Sequence, residues 1–168
     1  MREIPYNHEP GNLPPSIERI SFLSGFDSAC LDRILSNTKI LECDAGDIII
    51  REGDPGKELF ILLRGRVAVL KGGEEVARLD GAGELLGELA LLNGKERSAT
   101  VTCLGRAYCL KIDPQFLEKL SKEETNAYYA VLYRFVAMLL AERLAETSKR
   151  VVHLEKRLGQ AGIDTVML

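Results

Sequence analysis

Tryptophan is absent from the 168 residues, histidine occurs only as His8 and His153, and the four cysteines stand far apart. Each scarcity removes a class of chemistry. Cys30, Cys43, Cys103 and Cys109 lack the C-x-x-C spacing of zinc, redox or haem-attachment sites and read as small apolar fillers. Cys103 and Cys109 could pair across neighbouring strands, but buried free thiols are the expectation in a reducing cytoplasm. An excess of positive charge is missing too. The net charge is -3 and the pI about 5.5, which advertises no basic surface to nucleic acid. The most apolar stretch, 130 to 141, is short and interrupted by Arg134, where a membrane span needs about 20 residues. The opening residues MREIPYNHEPGNLPP have no apolar core of signal-peptide length. These absences point to a cytoplasmic protein without membrane insertion.

What is present is the composition of a globular domain, 46% hydrophobic and 28% charged, in a chain long enough for one domain and an appended element. Residues 1 to 15 hold four of the six prolines and predict an extended, partly mobile arm. From Ser16 the positions Ile17, Ile20, Phe22, Leu23 and then Phe26, Leu31, Ile34, Leu35 predict two short helices broken near Ser24-Gly25, the second capped by Asp27 or Ser28. The period then changes. Runs at Ile40 to Cys43, Ile48 to Ile50, Leu59 to Leu63, Val67 to Leu70, Val76 to Leu79, Ser98 to Cys103 and Arg106 to Ile112 read as strands, and glycine-rich turns divide the earlier ones. That spacing predicts an antiparallel sandwich or barrel over 16 to 113.

Between the last strands of this region lies Gly83 to Val101, GELLGELALLNGKERSATV. Gly87-Glu88-Leu89 opens a helical turn that Asn93-Gly94 ends, and backbone N–H groups at such a start can face an anion. Arg97 offers a planar fork of donors to phosphate oxygens, and Ser98 adds a hydroxyl. Glu88 would repel an anion, so its presence implies a ligand with a neutral donor as well, such as a sugar hydroxyl. The competing reading is a loop salt bridge between Glu88 and Arg97.

The order Gly-Glu-Leu-Ala-Leu, a glycine turn, then Arg-Ser-Ala-Thr resembles the phosphate-binding cassette of the cyclic nucleotide-binding domain family, and AGDIIIREGDPGKELFILLRGRVAVL resembles its strand and turn sequence. The resemblance implies a β-roll, that is, an α+β fold with an antiparallel, jelly-roll-like double-stranded β-helix. It also implies that Glu88 takes the ribose 2′-hydroxyl, that Arg97 binds the cyclic phosphate, and that the Gly87, Glu88 and Leu89 amides assist. Leu86 and Glu96 depart from the Phe and Pro that many members carry at these places. Glu-Arg-Ser-Ala instead resembles the catabolite activator branch.

Asp113-Pro114 predicts a helix start, and Ser121-Lys122-Glu123-Glu124 has the capping-box pattern of a longer helix within 114 to 160. Ala137, Leu140, Leu144, Thr147, Val151, Leu154 and Leu158 make an a/d seam with Arg143, Arg150 and Arg157 at g, which suits a parallel homodimer. Its first half could instead pack on the protein's own sheet. The stretch around Thr147 and Ser148 resembles the part of the catabolite activator's helix where adjacent Thr and Ser contact adenine, and both residues are equally acceptable as ordinary helix residues. Gly159 predicts the helix stop, leaving 161 to 168 as a tail. No residues remain for a helix-turn-helix, so direct DNA binding is not expected. The expectation is a non-enzymatic receptor for cyclic AMP, or else cyclic GMP, without cofactor or metal, signalling to an unknown downstream protein. The alternatives are a ligand-free dimerisation scaffold and a jelly-roll metalloenzyme, the latter opposed by the lack of histidine between His8 and His153.

Overall fold

The computed structural model describes residues 1–160, so the expected tail lies outside the described residues. The chain divides into two units, Met1–Val131 and Leu132–Leu168. In the first, two antiparallel sheets enclose the core, as expected of a β-roll. Strands β1 (Arg2–Pro5), β2 (Thr38–Cys43), β4 (Leu59–Arg64), β7 (Leu85–Leu86) and β9 (Ala107–Ile112) form one sheet in the order β1-β2-β9-β4-β7. Strands β3 (Ile48–Ile50), β5 (Val67–Lys71), β6 (Glu74–Leu79) and β8 (Thr100–Cys103) form the other, in the order β3-β8-β5-β6. Leu41, Cys43, Ile50, Phe60, Leu62, Val67, Leu86, Val101 and Cys109 are among the buried residues that join the two sheets in one cluster. Alternation along β2 and β9 puts Leu41, Cys43, Ala107 and Cys109 on the face that meets the second sheet. Lys39 and Lys111, opposite one another, continue that same face toward the end of the strands, where Lys111 stands opposite Phe60.

Within residues 1 to 15, expected as an arm, Arg2–Pro5 is an edge strand paired with β2 from Arg2 opposite Glu42 to Pro5 opposite Lys39. Proline is tolerated there because its missing N–H can face away from the ladder. The helical region then comprises α1 (Pro15–Glu18), a 3₁₀ turn at Leu23–Gly25 and α2 (Ser28–Ser36). The break expected at Ser24-Gly25 is itself helical in the tighter 3₁₀ form. Asp27 is the cap of α2, its Oδ1 accepting from the Cys30 amide at 2.8 Å.

Cys103 pairs with Val67 in the second sheet while Cys109 pairs with Leu41 and Leu62 in the first, and both are free thiols. The cross-strand pairing does not arise because β8 and β9 are not neighbours. Burial pushes the Cys43 and Cys109 thiols up to about 12, which keeps them protonated.

After Asp113, which caps a 3₁₀ segment Pro114–Lys119, one helix, α4, runs over Lys122–Gln160. Ser121 and Glu124 form the reciprocal capping box: the Ser121 amide donates to the Glu124 carboxylate at 2.8 Å and the Glu124 amide to the Ser121 hydroxyl at 3.3 Å. The first turns belong to the first unit, where buried Tyr128 stacks on Phe26 at 5.4 Å and meets Phe116 edge-on at 5.5 Å. The helix does not stop at Gly159 but continues through Gln160, because glycine lowers helix stability without forbidding it. In the second unit Leu144, Val151, Leu154 and Leu158 are exposed, Leu144 by 68%. Among the described residues no helix is long and apolar enough to cross a membrane.

Candidate functional site

The cassette hangs from the edge of the five-stranded sheet. β7 pairs with β4, Leu86 opposite Phe60, and so delivers the chain to Gly87 directly over that strand. Gly87 has φ +84, and a Cβ there would lie 2.5 Å from Arg97 Nη1 and 3.0 Å from the Glu58 carbonyl oxygen. Glycine is required both for the left-handed backbone and for the space. From this cap α3 (Glu88–Asn93) makes its brief excursion, and Gly94, at φ +63, closes it with an N–H donated to the Ala90 carbonyl.

The returning chain is fastened by its backbone before its side chain enters. The Arg97 amide donates to the Asp54 carbonyl at 3.0 Å, and the Gly53 amide donates to the Arg97 carbonyl at 2.9 Å. The turn at Gly53 to Gly56 therefore serves as more than turn geometry: it sets where Arg97 enters. Its guanidinium is buried, the side chain only 5% exposed. Nη1 donates to the Gly87 carbonyl at 3.1 Å, Nη2 donates to Glu58 Oε2 at 3.0 Å, and the Phe60 ring lies beneath at 5.9 Å. The opposite wall is Gly56, at φ +153, where a Cβ would come within 3.0 Å of Nη2 and 2.9 Å of Glu58 Oε2. A slot between two glycines thus holds one planar cation.

Burial draws the Arg97 pKa below its ordinary value, while the attraction and hydrogen bond of Glu58, and then the charge of Glu88, act against that. The group stays a cation. Glu88 is itself buried, at 4% exposure, on the first turn of α3. Gly87, Glu88, Leu89 and Arg97 are therefore gathered in one place, with Leu89 half-buried and Ser98 exposed at the rim. The Ser98 carbonyl accepts from Lys71 Nζ at 2.7 Å. Thr147 and Ser148 lie on α4 in the other unit, both exposed, and the Thr147 hydroxyl donates back to the Arg143 carbonyl at 2.8 Å.

The sequence reading missed Glu58. Its signal was slight: it stands two residues before Phe60, so an extended backbone puts both on one face under the cassette. Its second oxygen lies 3.8 Å from Lys111 Nζ.

A buried carboxylate and guanidinium, a glycine cap and a short helix are thus brought together, a set of groups that can meet both an anion and a hydroxyl donor. A family model described as the cyclic nucleotide-binding domain matches residues 40–124. Among curated proteins, the chain is 28% identical over 111 residues to a cAMP-dependent protein kinase regulatory subunit of Dictyostelium discoideum, covering 62% of this chain and 34% of that one. It is 37% identical over 94 residues to the corresponding subunit of Mycosarcoma maydis, covering 54% and 17%. The chain thus spans about a third or less of these relatives. Among solved structures, the regulatory subunit of a cAMP-independent protein kinase A from Trypanosoma brucei matches with a TM-score of 0.59 at 31% identity, over 70% of this chain and 42% of that one. A cyclic nucleotide-binding domain from Methylobacillus flagellatus has the same fold, with a TM-score of 0.68 at 24% identity over 82% of each chain. With the cassette assembled around Arg97 and the model matched across half its length, the chain belongs to the cyclic nucleotide-binding domain family.

Proposed function

We propose that this chain is a non-enzymatic, cytoplasmic receptor for cyclic AMP that works as a homodimer and transmits occupancy through the geometry of α4. The observation that carries the reading is the Arg97 guanidinium, buried in a two-glycine slot beside buried Glu88. A cyclic phosphate supplies the anion for Arg97, and the ribose 2′-hydroxyl supplies the donor for Glu88. Ser98 and the amides of Gly87, Glu88 and Leu89 complete the phosphate contacts. Family membership alone does not fix the ligand, since one relative is the regulatory subunit of a cAMP-independent kinase. The relatives from Dictyostelium discoideum and Mycosarcoma maydis, described as cAMP-dependent, favour cyclic AMP. Thr147 and Ser148 add hydroxyls that can accept from the adenine 6-amino group, and because hydroxyls also donate, the preference over cyclic GMP is modest, about 1–2 kcal/mol.

The homodimer rests on the exposed apolar positions Leu140, Leu144, Val151, Leu154 and Leu158, which recur on one helical stripe of α4. Calorimetric titration with cyclic AMP, cyclic GMP and 2′-deoxy cyclic AMP tests the ligand. Cyclic AMP is expected to bind at about micromolar affinity, by the efficiency ordinary for a ligand of its size, and the 2′-deoxy form more weakly. The Arg97–Glu58 pair supports a second reading, a ligand-free scaffold whose arginine is satisfied internally. That reading predicts no heat with any of the three, and it prevails if none appears.

A further inference from the structure

We propose that a chain of alternating charges, Arg97–Glu58–Lys111–Glu3, couples anion capture at Arg97 to the docking of β1, each weakening the other. The anion's identity rests on the nucleotide reading above; the charge chain does not.

The pairing registers place the route. Pro5 stands opposite Lys39, Lys39 opposite Lys111, Lys111 opposite Phe60 and Phe60 opposite Leu86. This row crosses the whole five-stranded sheet and passes, at Phe60, under the Arg97 guanidinium. Two lysines directly opposed on neighbouring strands repel. Glu3 of β1 bridges them, with Lys111 Nζ at 2.6 Å from Oε1 and Lys39 Nζ at 2.8 Å from Oε2. Lys111 has a second acid within reach, Glu58 Oε1 at 3.8 Å, and the other oxygen of Glu58 holds Arg97 Nη2 at 3.0 Å. Lys111 is 22% exposed and Glu58 33%, so solvent screens the two only in part.

An anion that takes Nη2 leaves the Glu58 carboxylate to Lys111. Lys111 then shifts its attraction from Glu3 toward Glu58, and Glu3 keeps only Lys39 to hold β1 at that row. The same exchange runs backwards: when β1 leaves, Lys111 is released to Glu58 and Arg97 is freer for the anion. Linkage requires the two effects to be equal in size.

Amide hydrogen exchange on the full chain, read at residues 2 to 4 and their partners 40 to 42, tests this without assuming a ligand. Arg97→Ala removes the cation that Glu58 holds and is expected to raise exchange in β1 about two- to fivefold, the range of a partly exposed ion pair. Arg97→Lys keeps the charge and is expected to stay at the wild-type rate, and adding Glu58→Gln to Arg97→Ala should restore it. In the wild type, saturating cyclic AMP is expected to give the same rise. Unchanged β1 exchange in folded Arg97→Ala, or in wild type with nucleotide shown by calorimetry to be bound, overturns the coupling. Should Arg97→Ala not fold, Glu58→Gln alone leaves Lys111 to Glu3 and is expected to slow β1 exchange, and no change there also overturns it. A rise in Arg97→Ala without any binding of cyclic AMP to the wild type removes the nucleotide and leaves the charge chain standing.

Discussion

One buried cation sets the requirements of its neighbours. Arg97 is enclosed by Gly56, Gly87, Glu58 and Phe60, so both its removal and any crowding of its slot should be costly. Arg97→Ala is expected to weaken cyclic nucleotide binding at least about a hundredfold, the effect of breaking a buried charge contact, with the melting transition retained; calorimetry and circular dichroism together check this. Gly87→Ala tests the slot itself. The left-handed backbone costs about 1–3 kcal/mol for a non-glycine residue, and the new Cβ displaces the guanidinium, so thermal stability and nucleotide affinity should fall together. Wild-type affinity in that variant would show that the 2.5 Å approach relaxes without consequence. Glu88 and Arg97 were legible in the sequence because their motif is contiguous. Glu58 was not, because its role depends on a strand that returns to the cassette from 39 positions earlier, and a lone glutamate after a turn reads as solvated surface.

Among the elements, β1 is the one whose hold depends most plainly on charge. Lys111 first, then Lys39, lowers the Glu3 pKa, and Arg106 first, then Arg2, holds Glu42 at about 2. Arg2 and Arg106 both reach the Glu42 carboxylate, and Arg2 belongs to β1. Carboxylates depressed in the folded state contribute stability above their unfolded pKa and lose it as pH falls through the folded value. Docking of β1 should therefore weaken as the pH falls from about 4.5 toward about 2. Amide chemical shifts of residues 2 to 4 are expected to move toward random-coil values before those of β9, and simultaneous loss of both strands would show that β1 has no separate transition. Neither β1 nor β7 was legible as a strand. The first hides behind proline and alternating charge, and the second is a two-residue bridge, Leu85–Leu86, whose strand character exists only in its pairing with β4. The capped helices were clearer, since Asp27, Asp113 and the Ser121–Glu124 box act within a few residues of their own position.

At the scale of the molecule, the exposed stripe on α4 carries the dimer prediction. Leu144→Glu with Val151→Glu places charges in an apolar seam and is expected to convert a dimer to a monomer in sedimentation; a wild type that is already monomeric at high concentration refutes the seam. An antiparallel sandwich or barrel was legible from the turn spacing and the roll from the family resemblance, whereas the division of strands between the sheets was not, because periodicity reports a face and not a neighbour. That division gives β9 a particular place. It is the middle strand of its sheet yet the last of the nine among the described residues, and it pairs Ile112 both with Thr38 and with Leu59. Contacts so remote in sequence make a chain slow to fold, because loop closure must precede their reward. Until Ala107–Ile112 arrives, β2 and β4 lack their common partner and expose unpaired N–H and C=O groups. During synthesis the roll thus waits on one late strand, and a nascent chain stalled before Ala107 presents two open edges to its surroundings, where the finished protein has a continuous ladder from β2 through β9 to β4.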